Sequence, residues 1–217
     1  MPCSPCPAPE AVGQRRRTWL LALGAGLTLG GCATQRRVPA PDIVTVQDWG
    51  GQATPAPAQP QRLHQLTLHH GGVDWPPDKP VPDYLRRLQR WSRQTQGWPD
   101  IPYHYIVAPD GLIYAARPEG LAGDTNTEYD PQGHGLVMLL GNFEHQRPTP
   151  AQLHATVKLL AWMAQTQGLG VDAIAAHRDF SRQTVCPGRH LAAYLDSGWL
   201  RLAVQARLAG QPGPALP

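Results

Sequence analysis

The chain has 217 residues, 41% of them hydrophobic and 16% charged, with a formal net charge of +3. That length suits a single domain with a core of its own. Much of the positive excess lies at the N-terminus: without residues 1–31, which hold three arginines and one glutamate, the balance falls to +1. No basic run and no interleaving of aromatic with basic residues survives in the remainder, which sets a nucleic-acid partner aside.

In chain order, Arg15-Arg16-Arg17 precede the apolar run Trp19–Leu27, too short and too rich in glycine to span a bilayer and suited to the core of an export signal. Arg16-Arg17-Thr18-Trp19-Leu20 also resembles a twin-arginine signal, which an ordinary basic leader explains equally well. The segment ends in Leu29-Gly30-Gly31-Cys32, which resembles the bacterial lipobox, where cleavage before the cysteine accompanies its acylation. The expected organisation is a signal peptide over 1–31, a lipidated Cys32 and tether over 32–41, a folded domain over 42–210 and a flexible tail over 211–217. Several acyl chains on one residue give stable membrane anchoring. Ala33 in place of aspartate resembles the sorting pattern for the periplasmic face of an outer membrane.

Ile43–Val46 has strand character, and residues 53–61, with three prolines, form an irregular loop. Leu63–His69 alternates apolar and polar residues as a half-buried strand does, and ends in His69-His70-Gly71-Gly72. Asp83 is the expected N-cap of a helix reaching about Gln96, with Tyr84, Leu88, Trp91 and Thr95 on one face. Tyr103–Ala108 and Leu112–Ala115 read as a hairpin about the turn Pro109-Asp110-Gly111. Residues 117–134 form a long polar loop, of a length that is often functional. Leu136–Leu140 is wholly apolar and reads as a central strand. Thr149, Pro150 and Gln152 mark a capping box opening a helix to Gln167, closed by Gly168. A short strand from Ala173 runs into His177, a helix begins near Pro187 and covers Leu191–Leu195, and another follows after Gly198. The order implies an α/β fold: one domain with a central mixed sheet of five to six strands flanked by helices.

After export processing, Cys186 is the one unmodified thiol, lying nine residues beyond His177. A lone exported thiol is either a metal ligand or a small buried hydrophobe. Histidines at two strand ends, His69 and His177, complete a His-His-Cys set that leaves a fourth position for water. Zinc held this way lowers the pKa of that water and polarises a carbonyl, which is chemistry for amide or ester hydrolysis.

Four blocks carry a resemblance: Leu66-Thr67-Leu68-His69-His70; Ile101–Val107 with Asp110–Tyr114; His177-Arg178-Asp179-Phe180-Ser181; and Thr184-Val185-Cys186-Pro187-Gly188. Together they are similar to zinc-dependent N-acetylmuramoyl-L-alanine amidases, in the group that includes phage lysozyme-type amidases and peptidoglycan recognition proteins. The resemblance implies that residues 42–210 are an amidase domain cutting the bond between N-acetylmuramic acid and L-alanine. It implies one Zn²⁺ on His69, His177 and Cys186, catalytic roles for Tyr103 and Thr184, and peptidoglycan or muropeptides as partners, with the protein acting as a monomer. Thr184 read without the resemblance is a loop hydroxyl bonding local backbone. A related subgroup places a glutamate in the central strand where this chain has Met138. A non-catalytic binding protein on the same fold is the rival; such relatives typically lack the cysteine.

Two departures stand out. Relatives carry a Gly-Ala-His element where this chain reads Ala122-Gly123-Asp124-Thr125-Asn126, so a substrate-contacting histidine is missing or displaced to His134. The interval from His177 to Cys186 is one residue longer than usual. Asn126 and Arg117 are expected to flank the groove and touch sugar or peptide. His70 either orients a ligand or packs on the far face, His104 is expected to be structural, and His64, His145, His154 and His190 are expected at the surface.

Overall fold

The computed structural model describes residues 37–217 apart from 56, 57 and 77; the signal peptide expected over 1–31 and Cys32 lie outside the described residues. Six strands form one sheet: β1 (Ile43–Val44), β2 (Gln65–His70), β3 (Tyr105–Val107), β4 (Ile113–Ala115), β5 (His134–Leu139) and β6 (Ile174–Ala176), in the order β1-β4-β3-β5-β2-β6. Among the strand pairs of the described residues, only the β3–β4 hairpin is antiparallel. Every residue of β5 is buried and it pairs on both edges, so its apolar run is that of a central strand.

Period-two alternation sends the two faces of the sheet into different apolar clusters. Leu66, Leu68, Tyr105, Val107, Val137 and Leu139 pack with α2 (Pro150–Gln167), α3 (Arg189–Asp196) and α4 (Trp199–Leu208). Ile106, Tyr114 and Met138 pack on the other side with Trp49, Trp75, Ile101 and Leu85, the last from α1 (Val81–Gln94). His69 has the parity opposite to Leu68 and pairs in register with Met138, which brings it to the α1 side.

The ends of α2 follow the sequence closely. Thr149 and Gln152 close a reciprocal capping box, Pro150 takes the first turn, and Gly168 ends the helix at φ 68°. α1 departs from it. The helix opens at Val81 behind Pro80, and Asp83 sits inside the first turn, paired with Arg86, instead of capping. Its buried face is Leu85, Gln89 and Ser92, while Tyr84, Leu88 and Trp91 look into a groove. Gln89 is tolerated inside because its amide donates to Asp100 Oδ1 at 2.9 Å and to Gln52 O at 2.8 Å.

Both ends of the domain extend past the expected boundaries. Val38, assigned to the tether, is 5% exposed and donates its N–H to Gln165 Oε1 at 2.6 Å. In the expected tail, Ala215 O accepts from Trp199 Nε1 at 2.7 Å and Leu216 packs on the core.

Candidate metal centre

Three chain segments converge at the C-terminal ends of β2 and β6. The β2 strand delivers His69. The β6 strand ends at Ala176, whose N–H is taken by Asp179 Oδ2 at 2.8 Å, and the chain enters a 3₁₀ turn, His177–Asp179, that starts with His177. Cys186 comes from the loop before α3, where its N–H donates to Thr184 Oγ1 at 3.0 Å and its carbonyl accepts from Arg178 N at 2.9 Å. Directly after it, the Gly188 backbone crosses Phe143 so closely that a Cβ there would lie 2.6 Å from the Phe143 carbonyl carbon, at a φ of 85°. Only glycine fits that crossing.

The donor atoms of His69, His177 and Cys186 all lie within 4.8 Å of one another and all three residues are buried. Cys186 Sγ stands 3.7 Å from His69 Nδ1 and accepts a hydrogen bond from His70 N–H at 3.4 Å. Metal–sulfur and metal–nitrogen bonds of about 2.3 and 2.0 Å at tetrahedral angles put such donors roughly 3.5 Å apart, so this spacing suits one tetrahedral ion. Burial, reinforced by neighbouring histidines, holds the His69 ring neutral, and burial brings His177 down to about 4. Burial pushes the Cys186 thiol up to about 12. Two neutral imidazoles and one thiol masked from water form a donor set of the soft, borderline kind that zinc accepts, and a bound ion would favour the thiolate over the thiol.

The cluster lines a cavity of about 280 Å³ together with Tyr103, Thr184 and Asn126, walled by Tyr84, Leu88 and Trp91 of α1. A larger cavity of about 540 Å³ lies beside Trp75, Lys79 and Gln146 and carries none of these donors. The Tyr103 ring sits 5.1 Å from that of His69, and burial, with the neighbouring Cys186, raises its phenol well above the usual tyrosine range. Tyr103 is therefore a proton-bearing hydrogen-bond donor at physiological pH. Thr184 lines the cavity and also makes the local backbone bond to Cys186. Asn126 is exposed at the rim.

Two expected substrate contacts are placed elsewhere. Arg117 is 2% exposed, and its guanidinium is occupied by the carbonyls of Ile101 (3.0 Å), Ala122 (2.5 Å) and Asp100 (2.7 Å) and by Asp124 at 2.5 Å. With four of its five N–H donors engaged and the side chain buried, Arg117 is held as a strut of the fold and does not line the groove. His134 is 6% exposed, its Nδ1 2.8 Å from Thr67 Oγ1 and its ring 4.6 Å from Phe180, so it packs behind the centre and is not among the residues lining this cavity. His70 lies at the groove with Nδ1 accepting from Phe143 N–H at 3.2 Å. His104 is structural, as expected: fully buried, Nδ1 accepting from Leu136 N–H and Nε2 facing Leu121 O. His64, His145 and His154 are exposed, whereas His190 is half-buried.

The sequence reading missed Thr127, whose Oγ1 is 2.8 Å from His177 Nε2, and the Trp91–Trp98 pair on the groove wall. Only the length of the loop holding Thr127 marks it out in the sequence.

Residues 59–189 match the family described as N-acetylmuramoyl-L-alanine amidase (Amidase_2). The chain belongs to that amidase family. An N-acetylmuramoyl-L-alanine amidase of Sus scrofa is 33% identical over 150 residues, 64% of this chain and 24% of that protein; the human one is 33% identical over 152 residues, 64% and 25%. The chain thus spans about a quarter of the length of these two relatives. Peptidoglycan-recognition protein SD of Drosophila simulans is 29% identical over 188 residues, 82% of this chain and 94% of that one. Among solved structures, Drosophila peptidoglycan recognition protein SD superposes with a TM-score of 0.64 at 25% identity, covering 73% and 94%. The endolysin amidase LysCS of Clostridium intestinale gives 0.58 at 23%, covering 73% and 98%, a likeness of fold. The amidase family sheet and flanking helices thus agree with the α/β architecture read from the sequence.

Proposed function

We propose that this amidase-family domain is a zinc hydrolase that cuts the amide between N-acetylmuramic acid and L-alanine in peptidoglycan or muropeptides. The convergence of His69, His177 and Cys186 within 4.8 Å at the floor of an open groove carries the reading. A zinc ion held there supplies an activated water and a Lewis acid for the scissile carbonyl.

The chain's own residues do the rest. Tyr103, neutral through burial beside His69, donates a hydrogen bond to oxygen as negative charge develops on it. Thr184 holds the Cys186 backbone through its oxygen and keeps its hydroxyl proton for a substrate acceptor at the same rim. Tyr84, Leu88 and Trp91 shield one side of the groove and offer an apolar wall against which a sugar or peptide can lie. Asn126 supplies an amide at the exposed rim.

We further propose that Cys32 carries a lipid anchor and that the monomeric domain works at the periplasmic face of an outer membrane. The lipobox-like Leu29-Gly30-Gly31-Cys32 supports this, and no helix among the described residues is long and apolar enough to cross a membrane itself.

The test is incubation of the purified protein with peptidoglycan, with mass spectrometry of what is released. Parallel samples contain a chelator, chelator with restored zinc, and Cys186→Ser. Stem peptides beginning with L-alanine, lost on chelation and in Cys186→Ser and restored by zinc in the parent, are expected. Intact glycan–peptide linkages despite bound zinc and pull-down of peptidoglycan would replace the enzyme with a recognition protein on the same fold.

A further inference from the structure

The segment between β4 and β5 carries three consecutive residues that each hold part of the chain bearing His177 and Cys186. Thr127 Oγ1 lies 2.8 Å from His177 Nε2. The Glu128 carboxylate accepts from Ser181 Oγ at 2.5 Å and from Arg182 N–H at 3.0 Å, pinning the loop that leads from one ligand to the other. Tyr129 places its ring 5.0 Å from that of His177 and stacks on Phe180.

The threonine contacts are compatible with either hydroxyl direction, and only one of the two leaves His177 Nδ1 without a proton. Thr127 N–H already donates to Thr125 Oγ1 at 3.1 Å, and the two threonine hydroxyls are 2.9 Å apart. With the Thr127 proton directed to Thr125, its lone pairs face the imidazole and accept Nε2–H. A neutral imidazole carries one ring proton, so a proton fixed on Nε2 leaves Nδ1 bare. A ligating histidine is commonly set in its tautomer and ring angle by such an acceptor on the nitrogen that faces away from the metal.

We propose that Thr127 is a positioning residue: its hydroxyl holds His177 as the Nε2–H tautomer and aims Nδ1 at the metal, with Glu128 holding the ligand loop in the matching place. This rests on the zinc reading above and adds a determinant of metal affinity from a loop whose sequence departs from the family pattern.

The experiment measures the zinc dissociation constant of the purified protein by competition with a chromophoric chelator. The parent is compared with Thr127→Val, which keeps the shape and removes the hydroxyl, and Thr127→Ser, which keeps the hydroxyl. The melting temperature of each metal-stripped protein is followed alongside. Thr127→Val is expected to bind zinc about 10- to 100-fold more weakly, the usual effect of losing such a partner, while Thr127→Ser stays near the parent. The metal-stripped forms are expected to melt together, because Thr127 is half-exposed in a loop. Thr127→Ala serves as a second variant without the hydroxyl should valine fail to fold. Parent-like zinc affinity in the valine or alanine variant overturns the proposal. So does an equal loss in Thr127→Ser, which would assign the effect to the methyl group. A parent that binds no zinc overturns the underlying metal reading, and is told apart from these outcomes by the parent's own titration.

Discussion

Arg117 shows how a residue expected to meet substrate can instead hold up the ground beneath it. Its guanidinium gathers three carbonyls and the Asp124 carboxylate, tying the residues before β3 to the loop after β4. Replacing it with methionine strands those acceptors in a nearly dry site. Arg117→Met is therefore expected to lose about 3 kcal/mol or more of stability, the usual cost of removing one member of a buried charged network. Urea unfolding of parent and variant measures this, and a loss below about 1 kcal/mol would show that water or neighbours satisfy the acceptors. Where the variant stays folded, its affinity for muropeptide is expected to match the parent's, because Arg117 does not line the groove. The cluster of His69, His177 and Cys186 was legible in the sequence because its residue types are themselves rare signals: an isolated thiol, and histidines at strand ends. Arg117 was not legible, because a charged residue in a polar loop gives no sign of burial until the backbone carbonyls around it are placed.

Helix α1 raises the same issue over a longer stretch. Its period was legible in Tyr84, Leu88 and Trp91, but these face the groove, and the face in the core includes Gln89 and Ser92. Periodicity finds the stripe without saying what covers it, and a ligand groove takes apolar residues as readily as a core does. The capping box of α2 was legible to the residue because it is closed within four positions and needs no distant partner. On α1, Trp91 is 41% exposed, with Trp98 edge-on to it at 5.9 Å. An indole so placed adds little to the fold and offers a flat apolar face to a sugar ring. Trp91→Ala is expected to shift stability by less than about 0.5 kcal/mol, as is usual for exposed sites. Its binding to insoluble peptidoglycan is expected to weaken by about fivefold, or roughly 1 kcal/mol. Sedimentation binding with a metal-stripped protein separates this from catalysis. Unchanged binding would leave the wall without a part in recognition.

The whole molecule buries four neutral imidazoles, His69, His104, His134 and His177, in or beneath one sheet. Burial is the first cause in every case, lowering His104, His134 and His177 to about 4 and His69 well below its ordinary value. In the unfolded chain the same groups titrate near 6.5. As pH falls through 6.5 the unfolded chain takes up protons that the folded protein refuses until about 4, so the stability these residues confer is complete above 6.5 and drains away toward 4. His104, fully buried and bonded at both nitrogens, contributes of order 3 kcal/mol to that loss, and the others add in the same direction. Ordinary carboxylates stay largely ionised above pH 5, which leaves the window from 6.5 to 5 to the histidines. Urea unfolding of the metal-stripped protein at intervals from pH 7.5 to 4.5 is expected to show a midpoint that is level above 7 and falls steadily below 6.5. His104→Gln is expected to start lower at pH 7.5 and to fall less steeply, because one refused proton has been removed. A midpoint that holds to pH 5 in the parent would mean that the folded protein accepts these protons, with water or a local opening reaching the rings.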